Sequence, residues 1–231
     1  MEQQRRNYHN HCIKANKLVR DVRLSVIQDV YHAAHEKHNI VRNLTLDQVK
    51  DFAKTLKSQL YIQGLIQGNM TKDQAVTVDT MVRTKLQFSA LSGDSKTEIR
   101  CADIPTGVNT IRLDSLHEGD ANTMVVNYYQ SGPGNIRDQA VMEAIVLMME
   151  EPVFDTLRTQ EQLGYAVNMV MRNTYGVLGL TVTVNTQATK FTPQHVDERI
   201  ETFFKDFVKD SFTEETATKA IQSLIKLKVL N

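Results

Sequence analysis

The chain has 231 residues, enough for one large or two small domains, and is 41% hydrophobic and 23% charged, which is ordinary for a globular protein with a sizeable core. Twenty-seven Lys and Arg balance 27 Asp and Glu, so no global field calls for nucleic acid or an anionic membrane as partner. Two cysteines, Cys12 and Cys101, stand far apart without metal-ligand neighbours, which argues against a disulfide scaffold and fits a reducing compartment.

Residues 8–38 read mostly as helix, with Ile13, Leu18, Val22, Val26, Ile27 and Val30 at roughly helical spacing and no Pro or Gly. Arg5, Arg6, Lys14, Lys17, Arg20 and Arg23 are dispersed along it and read as a solvated face. Thr45-Leu46-Asp47-Gln48 is a capping-box pattern. It predicts a helix with Leu46, Val49, Phe52, Ala53 and Leu56 inward. Leu60–Ile66 reads as a strand and Gly68-Asn69 as a turn. Thr71-Lys72-Asp73-Gln74 repeats the capping box and opens a helix to about Leu86, with Ala75, Val78, Met81 and Val82 inward. The small polar stretch at 89–97 reads as a linker.

After it the pattern changes. Residues 98–104, 109–116 and 123–130 read as strands. Ser131-Gly132-Pro133-Gly134 ends the third, and Asn135 can cap a largely apolar, nearly buried helix. A short helix is predicted from Pro152, a residue suited to a first helical position, with Gly164 as its terminator. Residues 165–171 and 177–186 then read as a hairpin. Thr192-Pro193 opens an amphipathic helix with Val196, Ile200, Phe203, Phe204 and Phe207 inward. Thr213 caps a last helix carrying Ala217, Ala220, Ile221, Leu224 and Leu227. The order predicts an α+β fold, an antiparallel-rich sheet with helices layered on one face.

For chemistry, His32-Ala33-Ala34-His35-Glu36-Lys37-His38 offers histidines, but the order is H-x-x-H-E, and the inverted zinc motif H-x-x-E-H appears nowhere. His32 and His35 can share a helical face; without a third ligand they read as a surface cluster, and no metal is assigned. No G-x-S-x-G elbow, phosphate loop or C-x-x-C occurs, and nothing local activates either cysteine. Arg158 and Tyr165 bracket the junction around Leu163-Gly164. A guanidinium fork and a phenol both donate hydrogen bonds toward a carbonyl or an anion, though the same pair also reads as a surface Arg and a strand-start Tyr.

Long ordered strings carry a resemblance. Asn127-Tyr128-Tyr129-Gln130, the run Glu150-Glu151-Pro152-Val153-Phe154-Asp155-Thr156-Leu157-Arg158-Thr159-Gln160-Glu161-Gln162-Leu163-Gly164-Tyr165, the run Leu180 to Lys190, Leu224 to Lys228 and, upstream, Gln67-Gly68-Asn69-Met70-Thr71 resemble the C-terminal half of the insulinase (pitrilysin-type, inverted-zincin) metallopeptidases, their nardilysin branch above all. The resemblance implies that residues 1–90 are the helical C-terminal part of a third insulinase-type domain and 91–231 a fourth, shortened at its C-terminus. It implies a non-catalytic region of a zinc metalloendopeptidase: the H-x-x-E-H zinc site would come from an N-terminal half, the partners would be that half and peptide substrates, and this chain alone would cleave nothing. Tyr165 and Arg158 would hold the scissile carbonyl, on whose oxygen charge grows as a zinc-bound hydroxide attacks, and Phe154 would line the substrate cleft or else sit in the core. A shortened fourth domain would leave a sheet edge open to pairing with a second copy. A stand-alone peptide- or protein-interaction module derived from a degenerate protease half is the alternative. Without a signal peptide or a membrane-length apolar run, the expected location is the cytoplasm.

Overall fold

The computed structural model describes residues 2–95, 98–114, 117 and 119–230. They form two compact units, one comprising the chain up to Arg5 with Glu36–Glu98, the other Arg6–His35 with the chain from Ile99 onward.

In the first unit, α3 (Ala34–Asn43), which begins in the other unit, is followed by α4 (Leu46–Ser58), the two-residue β1 (Gln59–Leu60), α5 (Lys72–Leu86) and β2 (Ser89–Ala90), which pairs parallel to β1. Both predicted capping boxes are formed. Thr45 accepts from the Gln48 N–H and Thr71 from the Gln74 N–H, while each Gln side chain reaches back to its cap. The predicted inner face of α4 is not covered within the unit: Leu46, Phe52 and Leu56 are more than half exposed. On α5, Met81 is likewise exposed. The strand expected over 60–66 stops at Leu60, because its partner β2 is only two residues long. The linker expected at 89–97 begins with that strand; residues 96–97 lie outside the described ones.

The second unit holds the sheet. Its strands β3 (Asn122–Pro133), β4 (Ala166–Thr174) and β5 (Val177–Gln187) run antiparallel in the order β3-β5-β4. Of the strands expected at 98–104 and 109–116, the first is reduced to one bridge between Gln28 and Cys101, and residues 109–114 form none; residues 115 and 116 lie outside the described ones. Strand propensity reports fit to a half-buried pleated surface, and Ile111 and Leu113 are instead exposed. The predicted hairpin is present, turned by Tyr175 (φ 52°) and Gly176 (φ 88°), the two positive φ values of a tight two-residue turn.

Period-two alternation divides the sheet. Val125, Val167, Met169, Val182 and Val184 face α6 (Ile136–Phe154) and α7 (Pro193–Asp210), whose Met149, Val153, Val196, Ile200, Phe203 and Phe207 complete the core. Each such side chain contributes about 1.5–3 kcal/mol on burial. Polar bonds fix α7 to the same face: Asn127 donates to Asp197 at 2.6 Å and Tyr129 to Glu201 at 2.6 Å. Asn135 caps α6 as predicted, but Val141 is exposed and the helix half-buried before Met149. Helix α8 (Glu214–Leu230) packs on α6.

The long N-terminal helix expected over 8–38 is broken into α1 (Glu2–Cys12), α2 (Ala15–Ile27) and α3. Asp21 explains the second break. Its buried carboxylate accepts from the Ala34 N–H at 2.8 Å and the Tyr31 hydroxyl at 2.5 Å, folding residues 28–33 back onto α2. His32 therefore precedes α3, and it does not share a helical turn with His35. Helix α2 lies over the sheet face opposite the core, where Arg23 stacks on the Tyr128 ring at 5.5 Å.

Candidate functional site

Pro152 does not start a new helix. It sits inside α6, and the chain continues directly into a π-helix at Asp155–Gln160. Proline has no N–H to give the carbonyl four residues back, so the ladder loosens at this point. The Asp155 N–H is shared between the Glu151 and Pro152 carbonyls, the Glu161 N–H reaches Thr156 at 2.9 Å, and the Leu163 N–H reaches Leu157 at 2.9 Å. Widening lets Leu157 remain fully buried while Arg158 projects to solvent. Arg199 of α7 clamps the turn from outside with two bonds to the Glu161 carboxylate at 2.8 and 2.7 Å.

The left-handed residue that ends this turn is Gln162 (φ 53°), not Gly164. Gly164 is needed for a different reason. A Cβ there would lie 2.1 Å from the Asn185 carbonyl oxygen. Only glycine lets the two backbones approach so closely, and the next residue, Tyr165, then donates its N–H to that same carbonyl at 3.1 Å.

The three residues singled out by sequence lie together. Arg158 Nε donates to the Tyr165 carbonyl at 3.1 Å, and its guanidinium lies 4.9 Å from the centre of the Phe154 ring. Phe154 is 42% exposed, so it is not a core residue, and with Leu147, Glu150, Glu151, Val167 and Asn168 it lines a pocket of about 310 Å³. The Tyr165 side chain is 58% exposed and borders a larger cleft of about 600 Å³ between α2 and the polar face of the sheet. The terminal nitrogens of Arg158 meet no acceptor among the described residues.

Sequence reasoning missed Asn185. Its Nδ2 donates to the Tyr165 phenol oxygen, so one residue holds Tyr165 by main chain and side chain alike. The contact between the Asn185 amide and the phenol fixes the direction of the Tyr165 ring. The signal was the register: in β5 Asn185 alternates with Thr183 and Thr181 on the face that meets Ala166 and Asn168 of β4. Arg20 and Arg23, which the sequence places on a solvated helix face, instead line the large cleft together with Arg172, which carried no signal of its own. Among the described residues no group of three His, Cys, Asp or Glu side chains is placed to hold a metal ion, so the donors here do not fit a zinc site.

The family described as "Peptidase M16 inactive domain" matches residues 43–224. Nardilysin of Mus musculus and of Homo sapiens are each 39% identical over 230 residues, 98% of this chain and 20% of theirs. Insulin-degrading enzyme of Homo sapiens is 28% identical over 205 residues. The chain thus spans about a fifth of the length of these relatives. Among solved structures, pitrilysin superposes with a TM-score of 0.69 at 19% identity over 98% of this chain and 24% of its own. A peptidase M16 inactive domain from Pseudomonas fluorescens gives 0.61 at 17% identity over 97% of this chain and 54% of its own. These neighbours share the α+β fold, and with the family match across most of its length the chain belongs to the peptidase M16 family, as an inactive, C-terminal-type domain related to nardilysin.

Proposed function

We propose that this chain is the substrate-gripping, non-catalytic region of a nardilysin-like zinc metalloendopeptidase. Tyr165 and Arg158 donate hydrogen bonds to the scissile peptide carbonyl, and Phe154 lines the cleft that receives the peptide. Charge develops on the carbonyl oxygen only as the tetrahedral intermediate forms, so fixed donors aimed at it favour the transition state over bound substrate. In this proposal zinc supplies the activated water from an N-terminal half; the residues of this chain orient the peptide and stabilise charge. In family terms 1–90 is the end of a third domain and 91–231 a fourth, although Arg6–His35 packs with the sheet unit. The work would take place in the cytoplasm.

The observation supporting this reading is the arrangement at the start of β4. Two exposed donors are tied to each other through the Tyr165 carbonyl, and the phenol oxygen is already engaged by the Asn185 amide. Preorganised donors need no reorientation when charge appears. The test is Tyr165→Phe in this chain joined to an H-x-x-E-H half. The expected result is a loss of about 10²–10³ in kcat with little change in KM. Unchanged kcat sinks the proposal.

A further inference from the structure

The 600 Å³ cleft beside Tyr165 collects positive charge that the chain as a whole does not have. Lys14, Arg20 and Arg23 approach it from α2 and its N-cap, and Arg172 from β4; among the described residues that line it, Asp120 is the one carboxylate. Asp120 is already engaged by the Asn122 backbone N–H at 3.0 Å and by its side-chain amide at 2.8 Å. The net charge of the sequence is zero, so this local imbalance is a feature of the fold.

The arginines are left short of partners. Arg172 donates Nε to the Thr181 hydroxyl at 3.0 Å, a neutral acceptor. Arg23 lies over the Tyr128 ring, and its Nη1 is buried without a hydrogen-bond acceptor among the described residues. Burial first, then the nearby Arg172, disfavours the charge on Arg23, and burial, then Arg20, does the same to Arg172. Desolvated like charges facing one cavity, with a donor unpaired, are costly to maintain with the cavity empty and well suited to an oxyanion. A guanidinium fork takes a carboxylate with two parallel bonds.

We propose that this cleft binds a carboxylate carried by the peptide substrate, an acidic side chain or the peptide's C-terminus, between Arg23, Arg172 and Arg20. The inference rests on the peptide-binding reading above and extends it: Tyr165 grips a carbonyl, and the arginines seat a negatively charged group of the same peptide. Asn168 on the wall offers a further amide group beside it.

The experiment is calorimetric titration of the 231-residue chain with a short unstructured peptide carrying one internal glutamate, the same peptide with glutamine, and each as free acid and C-terminal amide. The expected result is that removing one of the two carboxylates weakens binding on the order of tenfold or more, and which removal does so identifies the source. Arg172→Gln or Arg20→Gln abolishes that preference. Arg20→Gln also raises the melting temperature of the peptide-free chain, because it relieves repulsion; a purely structural arginine would lower it. Four peptides that bind equally overturn the anion pocket and leave the peptide-binding reading standing. No binding by any of them sinks both.

Discussion

Gly164→Ala probes the close approach on which the site is built. The new methyl carbon would sit 2.1 Å from the Asn185 oxygen and 2.8 Å from its carbonyl carbon, and backbone atoms cannot rotate away as a side chain does. Either β5 recoils or the segment joining the π-helix to β4 moves. Forced overpacking of this kind costs about 1–3 kcal/mol. The Tyr165 N–H to Asn185 bond is the natural casualty, adding about 0.5–1.5 kcal/mol. We therefore expect a loss of roughly 1.5–4.5 kcal/mol, a large share of the roughly 5–15 kcal/mol of a typical domain. Urea denaturation followed by circular dichroism reads the midpoint, and amide exchange of Tyr165 reads the local bond. Gly64→Ala is the control, because nothing lies within 4 Å of its Cβ position. If Gly164→Ala shifts the midpoint no more than Gly64→Ala does, the close-approach argument fails.

Asp21 sets a pH window. Burial pushes its carboxyl up, but bonds from the Tyr31 hydroxyl and the Ala34 N–H and the nearby His11 outweigh this and hold it below the usual range. A folded-state value below the unfolded one of about 3.9 gives stability that is present above that pH and lost as pH falls through the folded value, so Asp21→Asn should flatten the acid limb of a stability-versus-pH curve. Tyr31 is pushed up to about 12 by burial and by donating to Asp21, so its share persists at pH 9 and is lost between about 10 and 12; an identical alkaline limb in Tyr31→Phe contradicts this. Glu161→Gln should cost on the order of 1 kcal/mol by denaturant midpoint, since the bidentate pair with Arg199 is partly exposed. The chain alone should cleave no peptide with or without added zinc; hydrolysis of a quenched fluorogenic peptide by the purified chain would refute the division of labour proposed above.

Much of the fold was legible because local rules agreed with one another. The capping boxes at Thr45 and Thr71, the Asn135 cap, and the Thr192-Pro193 start of α7 each rest on bonds within one turn, and all formed. The inward face of α7 was legible for the same reason, because Val196, Ile200, Phe203 and Phe207 recur at the helical period. What failed needed partners distant in sequence. The strands expected near 98–116 had the right residues, yet among the described residues nothing pairs with 109–114. The apolar face of α4 reads as amphipathic but is not covered within the unit, whereas on α5 Ala75, Val78 and Val82 are half-buried as expected and Met81 is exposed.

At the site the same division holds. Arg158 and Tyr165 stand out through the family resemblance of the string that holds them, since by chemistry and spacing alone they also read as a surface Arg and a strand-start Tyr. Asn185 does not, because an asparagine in a strand carries no local signal until the register Ala166–Asn185 brings it to the phenol. Pro152 and Gly164 were noticed but given the wrong tasks. Each was assigned by its commonest local use, helix start and helix stop, whereas here the proline loosens a helix from within and the glycine makes room for a strand twenty-one residues downstream. Both departures serve one geometric end. The widened turn keeps Leu157 in the core with Arg158 outside, and the missing Cβ draws Tyr165 against Asn185, so the two donors are fixed to the sheet and not to a free loop. If a donor pair must meet a developing charge without rearrangement, it has to be anchored by main chain on rigid elements. Such anchors depend on irregular backbone, and irregular backbone is what a reading based on helix and strand periodicity cannot see.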